Sequence, residues 1–177
     1  MRVLVTGFGA FGEFEENPSA LLAAGCGREH RVLEVAFDAV DQALQEWDPG
    51  AFDALLMLGV AGKASAFRVE TVARNHIGPA PDVRGEVHGP GPIDPSAPPL
   101  LAATLWPSWL LDDTAERAPS VDAGSYLCNY AFFRALQRFP EKRVGFLHVP
   151  PASAMALEVQ RDVVREVLAL LEELPNP

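Results

Sequence analysis

Apolar positions along this chain alternate between short runs and helical spacing. Arg2 to Thr6 predicts a buried strand, followed by a glycine-rich loop from Gly7 to Glu16. Asn17-Pro18 then opens a short helix, with Asn17 as cap and Pro18 as first helical residue, ending near Gly25. Arg31 to Phe37 predicts a second strand. Val40, Ala43, Leu44 and Trp47 keep helical spacing, so Asp38 to Trp47 predicts a helix closed by Pro49-Gly50. Ala54 to Val60 is continuous and apolar, as in the middle of a parallel sheet. Phe67 to Ala73 alternates and predicts one more strand.

Residues 78 to 99 are dense in Gly and Pro and predict a long loop, a kind of segment often tied to function. Leu100 to Asp112 is apolar but broken at Pro107, which predicts a helical piece on each side. Cys128 to Phe139 predicts a helix with Ala131, Phe132, Ala135, Leu136 and Phe139 on one face, and Val144 to Val149 a strand. Ala154 to Leu174 predicts a long amphipathic helix stopped by Pro175. Strands alternating with helices imply one α/β domain over 1–177, with a mainly parallel twisted sheet and helices on both faces.

Composition adds limits. The chain has 177 residues, 49% hydrophobic and 21% charged, enough for a single sizeable core. Its net charge of −10 argues against nucleic acid as a partner. No apolar run reaches the roughly 18 residues that span a bilayer, so no membrane partner is expected. Met1 to Thr6 has neither the apolar length nor the cleavage site of a signal peptide. Cys26 and Cys128 make no framework of bridges, which agrees with a reducing compartment and leads us to expect a cytoplasmic protein.

The candidate chemistry centres on Cys128. It opens a helix, and His148 ends a strand twenty residues later in Gly145-Phe146-Leu147-His148-Val149-Pro150-Pro151. A helix N-terminus and a nearby imidazole both favour a thiolate. A strand end places His148 at the carboxyl edge of the sheet, where open α/β folds put their sites. Glu70 is the candidate for orienting the imidazole. Cys26, beside Gly25 and Gly27, reads as inert, and His30, His76 and His88 as structural. Ser125 lacks a G-x-S-x-G context, no metal-ligand spacing is present, and no cofactor is expected.

Gly7-Phe8-Gly9-Ala10-Phe11-Gly12 fits G-x-G-x-x-G after a strand but argues against a nucleotide. The helix opens only at Asn17-Pro18, Glu13, Glu15 and Glu16 would repel a pyrophosphate, and Phe8 and Phe11 are bulky where backbone should approach it. The segment reads as a tight turn, or with Phe8 and Phe11 as an aromatic wall of a small-molecule pocket.

Taken together, these segments resemble the type I pyroglutamyl peptidases (pyrrolidone-carboxylate peptidases), a family of cysteine exopeptidases, over nearly the full length. Thr6-Gly7-Phe8-Gly9-Ala10-Phe11-Gly12 with Asn17-Pro18 is similar to the family's opening motif. Ala123-Gly124 with Cys128-Asn129 is similar to its nucleophile motif, and Gly145 to Pro150 to its histidine motif. Gly59-Val60-Ala61-Gly62 through Glu70 to Asn75 matches the spacing of its glutamate segment. The resemblance implies an α/β fold, a Cys128-His148-Glu70 triad, release of N-terminal pyroglutamate through an acyl-enzyme, and a homo-oligomer. It implies Phe8 and Phe11 as aromatic contacts to the pyroglutamyl ring, with Asn17 and Val60 completing the substrate-binding set.

The chain also departs from the family pattern. Val60 stands where the family has glutamine. Gly78-Pro79-Ala80-Pro81-Asp82 replaces a stretch that carries an arginine, with Arg74 and Arg84 as the nearest substitutes. Glu70-Thr71 replaces Glu-Arg, and Lys63-Ala64 replaces Gly-Arg. These departures leave two other readings open: a thiol amidase with a different small acyl-amide substrate, and a weakly active homologue that serves as a binding subunit.

Overall fold

The computed structural model describes residues 1–175; the expected domain limits of 1–177 take in Asn176 and Pro177, which lie outside the described residues. Val3–Phe8 forms β1, followed by α1 (Pro18–Ala24), β2 (His30–Leu33), α2 (Phe37–Glu46) and β3 (Ala54–Val60). Next come β4 (Phe67–Glu70), β5 (Val72–Arg74), β6 (Leu100–Ala102), a 3₁₀ turn (Ser108–Leu111) and β7 (Arg117–Ser120). The chain ends with α3 (Leu127–Arg138), β8 (Arg143–Val149) and α4 (Leu157–Glu172). Six strands make one sheet in the order β2-β1-β3-β8-β4-β7, and β5 and β6 pair separately. The sheet is parallel except where β4 runs against β8.

The sheet separates two cores, and strand alternation sorts side chains between them. Leu55 and Met57 of β3 join Phe37 and Leu44 of α2 and Phe132 and Phe133 of α3. Leu56 and Leu58 of the same strand join Leu22 of α1 and Val164 and Leu168 of α4. Helices thus cover both faces of the sheet. All seven β3 residues are buried, which is why that stretch reads as an unbroken apolar run.

Three local expectations are corrected and one unexpected strand is added. The strand predicted over 31–37 ends at Leu33, and Phe37 already opens α2. The Phe37 N–H is capped by Asp82 Oδ2 at 3.0 Å, a partner 45 residues away that local pattern does not reveal. The strand predicted over 67–73 divides at Thr71, whose N–H and hydroxyl both bind the Ser120 carbonyl as the chain leaves the main sheet. The apolar stretch 100–112 forms β6 and a single 3₁₀ turn rather than two helical pieces. Finally, β7 escapes the pattern because it is a short edge strand containing Pro119, which an edge position tolerates.

The glycine motif after β1 serves packing. A Cβ on Gly7 would lie 2.3 Å from the Ser19 carbonyl oxygen, so the missing side chain lets α1 press onto β1. Asn17 fixes the same junction: its Oδ1 accepts from the Ser19 N–H and hydroxyl, and its Nδ2 donates to the Gly9 carbonyl at 2.9 Å. Asn17→Ala should therefore cost about 1–2 kcal/mol, read as a lower urea midpoint at unchanged slope.

Candidate active site

Strand alternation selects the side chains that meet under α3. On β8, Val144 and Phe146 face the α2–α3 core, so His148 does too. On β4, Phe67 and Val69 face the opposite core, which leaves Arg68 and Glu70 on the α3 side. Register then sets them in order. Gly59 of β3 lies opposite His148, and His148 lies opposite Arg68. Because β4 runs antiparallel, Glu70 sits two pairs deeper, opposite Phe146.

The N-terminus of α3 brings in the thiol. Cys128 is its second residue, and the cap residue Tyr126 makes no side-chain capping bond. Asn129, fully buried, staples this turn to the segment after Glu70: its Oδ1 accepts from the Arg74 N–H, and its Nδ2 donates to the Arg74 and His76 carbonyls. Beneath the thiol is bare backbone. A Cβ on Gly59 would lie 2.8 Å from Cys128 Sγ and 2.7 Å from Phe146 Cζ.

His148 Nδ1 donates to Glu70 Oε1 at 2.8 Å, with the carboxylate wholly buried. This bond fixes the tautomer and leaves Nε2 for the thiol. Burial by itself would lower the pKa of His148, but the neighbouring Cys128 and Glu70 outweigh it and raise it to about 9. The imidazolium is thus favoured at neutral pH. Because that pKa lies above its ordinary value, the stability gained is complete below about pH 6.5 and is lost as pH rises through about 9.

A cavity of about 400 Å³ opens at this point, lined by Phe11, Phe14, Val60, Ala123, Cys128 and His148 among others. Phe11 and Phe14 pair in a short β-bridge, with ring centroids 5.4 Å apart. Glu13 and Lys63 bring opposite charges to the wall.

The predicted substrate-binding set divides. Phe11 and Val60 line the cavity. Phe8 does not; it shares the parity of Leu4 on β1 and is buried in the α2–α3 core at 2% exposure. Asn17 is buried as the cap of α1 and does not line the cavity either. Arg74 and Arg84 do not reach it: Arg74 pairs with Asp122 and Arg84 with Glu34. No residue of 78–99 lines it. That segment buttresses the nucleophile loop instead, since the Gly78 N–H donates to the Ser125 carbonyl and the Tyr126 hydroxyl to the Pro81 carbonyl. Cys26 is buried away from the site, against α4. Sequence reasoning missed Phe14, Lys63 and Tyr126 on the wall, Gly59 beneath the thiol and Arg68 beside Glu70. The i, i+2 spacing of Arg68 and Glu70 pointed to the last of these, and the exchange of the family's Gly-Arg for Lys63-Ala64 pointed to Lys63.

A thiol, an imidazole and a buried carboxylate converging beside a cavity at the carboxyl edge of a largely parallel sheet describe a site of the thiol-hydrolase class. The sequence profile described as Pyroglutamyl peptidase matches residues 1–163. A pyrrolidone-carboxylate peptidase of Deinococcus radiodurans is 33% identical over 90% of this chain and 83% of its own length. One of Pyrococcus furiosus is 33% identical over 85% of this chain and 81% of its own length. Among solved structures, the pyrrolidone carboxyl peptidase of Thermus thermophilus superposes with a TM-score of 0.82 at 37% identity, covering 94% of this chain and 98% of that one. That of Fervidobacterium islandicum superposes with a TM-score of 0.85 at 26% identity, covering 98% and 99%. The chain belongs to the pyroglutamyl peptidase family.

Gly59→Ala should cost about 1–3 kcal/mol of stability through overpacking and slow alkylation of Cys128 by displacing its sulfur. Thermal melts and iodoacetamide kinetics check both. The His148 imidazole should titrate near pH 9 by NMR, and Cys128→Ala should lower that value, since an anionic partner is lost while Glu70 remains; an unchanged value would remove Cys128 as a cause.

Proposed function

We propose that this chain is a thiol exopeptidase that releases N-terminal pyroglutamate from peptides, with Cys128 as nucleophile, His148 as acid–base and Glu70 as the group that orients His148. The observation that carries the reading is the His148–Glu70 pair beside Cys128 at the wall of the cavity. Family membership supports the substrate class.

Each chemical step follows from the arrangement. His148 Nε2 takes the Cys128 proton, and the resulting thiolate–imidazolium pair gains from the helix N-terminus and the Glu70 carboxylate. The thiolate attacks the carbonyl carbon that joins the pyroglutamyl residue to the next residue. A C–S bond forms, and the carbonyl oxygen takes the negative charge. N–H groups in the first turn of α3, left without a side-chain cap, serve as its donors in this reading. Collapse breaks the C–N bond, and the imidazolium gives its proton to the departing amine. Water, deprotonated by His148, then attacks the thioester, frees pyroglutamate and restores the thiol.

Selectivity follows from the wall. A pyroglutamyl residue has no free ammonium, so its ring enters between Phe11, Phe14 and Val60 without leaving a charge unpaired. Since Val60 offers no amide, the lactam's polar atoms fall to backbone groups and to Ser125 and Tyr126 at the wall. The same absence supports a second reading, a thiol amidase acting on another small, uncharged acyl-amide. A cytoplasmic location and a homo-oligomeric state belong to the proposal, and the two unbridged cysteines suit a reducing compartment.

A fluorogenic pyroglutamyl amide, with an alanyl amide as control, tests the proposal. Thiol-sensitive turnover of the pyroglutamyl amide alone is expected, and Cys128→Ser should abolish it. Turnover unchanged in that variant would sink the triad assignment, and turnover only of other acyl-amides would transfer the function to the second reading.

A further inference from the structure

Arg68 has no part in the mechanism above, yet its side chain is bound into the site on two sides. Its Nε donates to Glu70 Oε1 at 3.2 Å, the same oxygen that His148 holds. Its Nη2 donates to Ser120 Oγ at 2.7 Å and to the Asp122 carbonyl. The Arg68 side chain is 39% exposed and that of Glu70 is not exposed at all. It lines a second hollow of about 280 Å³ with Ala61, Asp122, Ala123, Gly124 and His148. Because β4 runs antiparallel to β8, Arg68 stands nearer the carboxyl edge than Glu70, between the carboxylate and water.

Two physical consequences follow. Glu70 Oε2 is buried without a partner among the described residues, so the side chain is held through Oε1 alone, by His148 and Arg68. The Ser120 and Asp122 bonds also hold the loop that carries Ala123, Gly124 and Ser125 into α3, all of which line the cavity. One side chain thus fixes the charge behind the imidazole and the loop ahead of the thiol.

We infer that Arg68 is a positioning residue for the Cys128–His148–Glu70 site: it sets its positive charge against the Glu70 carboxylate and pins the 120–124 loop so that the thiol and imidazole stay aligned. The inference rests on the thiol-hydrolase reading, but its first readout is thiol reactivity, which needs no substrate. Failure of pyroglutamyl turnover and failure of this inference are therefore separable.

The sign of the effect is fixed. A guanidinium stays charged throughout the working pH range, and removing a positive charge makes every nearby deprotonation harder. The other charged or titratable groups facing the site are Glu13 and Lys63 on the cavity wall, Tyr126 at the cap of α3, and Asp122 with its partner Arg74. All are unchanged in Arg68 variants, so a difference between variants isolates the Arg68 charge.

The test follows carbamidomethylation of the Cys128 peptide by mass spectrometry across the neutral and alkaline range, with melting curves to establish folding. In Arg68→Gln the reactivity curve should move to higher pH, because a positive charge is lost, and kcat should fall about tenfold or more with little change in KM. Arg68→Lys keeps the charge but cannot make all three bonds, so its curve should stay in place while kcat falls. A folded Arg68→Gln whose curve coincides with wild type would overturn the inference, even with reduced kcat, because Arg68 would then be a brace alone. An Arg68→Lys curve displaced as far as that of Arg68→Gln would overturn it too. Should Arg68→Gln fail to fold, Arg68→Lys decides: a curve in place with lower kcat supports the inference, and a displaced curve or unchanged kcat overturns it.

Discussion

A carboxylate with no exposed surface is tolerated only where partners hold its charge, and Glu70 sets that condition for this site. Its Oε1 accepts from His148 across 78 residues of sequence and from Arg68 on its own strand. Its backbone carbonyl accepts from Trp106 Nε1, which ties the strand to the segment beyond β6. Around that one ion β4, β8 and the loop after β7 are brought into fixed relation. The nucleophile helix joins them through Asn129, which grips the chain just after Glu70. Geometry at the thiol therefore depends on satisfying a charge in the interior.

Much of this was legible in the sequence because it is periodic. The unbroken apolar run of β3, the helical spacing of α3 and the polar ending of β8 carried the α/β architecture. With the nucleophile and histidine motifs they picked out Cys128 and His148, which the fold brings together with Glu70. What stayed hidden was settled by partners remote in the chain. The start of α2 depends on Asp82, and the break at Thr71 on Ser120. Phe8 and Phe11 read alike in a glycine-rich motif, but strand parity sends the first into the core and a β-bridge holds the second at the cavity. Phe14 was passed over because it follows the motif rather than belonging to it.

The departures from the family pattern can now be judged by position. Val60 faces the cavity, so the exchange of an amide for an isopropyl group alters the binding wall directly. The segment 78–82 lies behind the nucleophile loop, so its changes act through Ser125 and Tyr126. Lys63 keeps a cation at the wall although the neighbouring pattern differs. Substitution here has altered what surrounds the thiol more than how the thiol is held.

The chain distances within the site bear on how the protein matures. Glu70, Cys128 and His148 lie on β4, α3 and β8, and β8 is inserted between β3 and β4 although it forms late in the sequence. Until that last strand is threaded into the middle of the sheet, the imidazole has no carboxylate behind it and the thiol has no imidazole beside it. Such non-local pairing is slow relative to local helix formation. A newly made chain therefore lacks the juxtaposition of Cys128, His148 and Glu70 until the sheet closes. The site is in this way a property of the finished sheet rather than of any one segment.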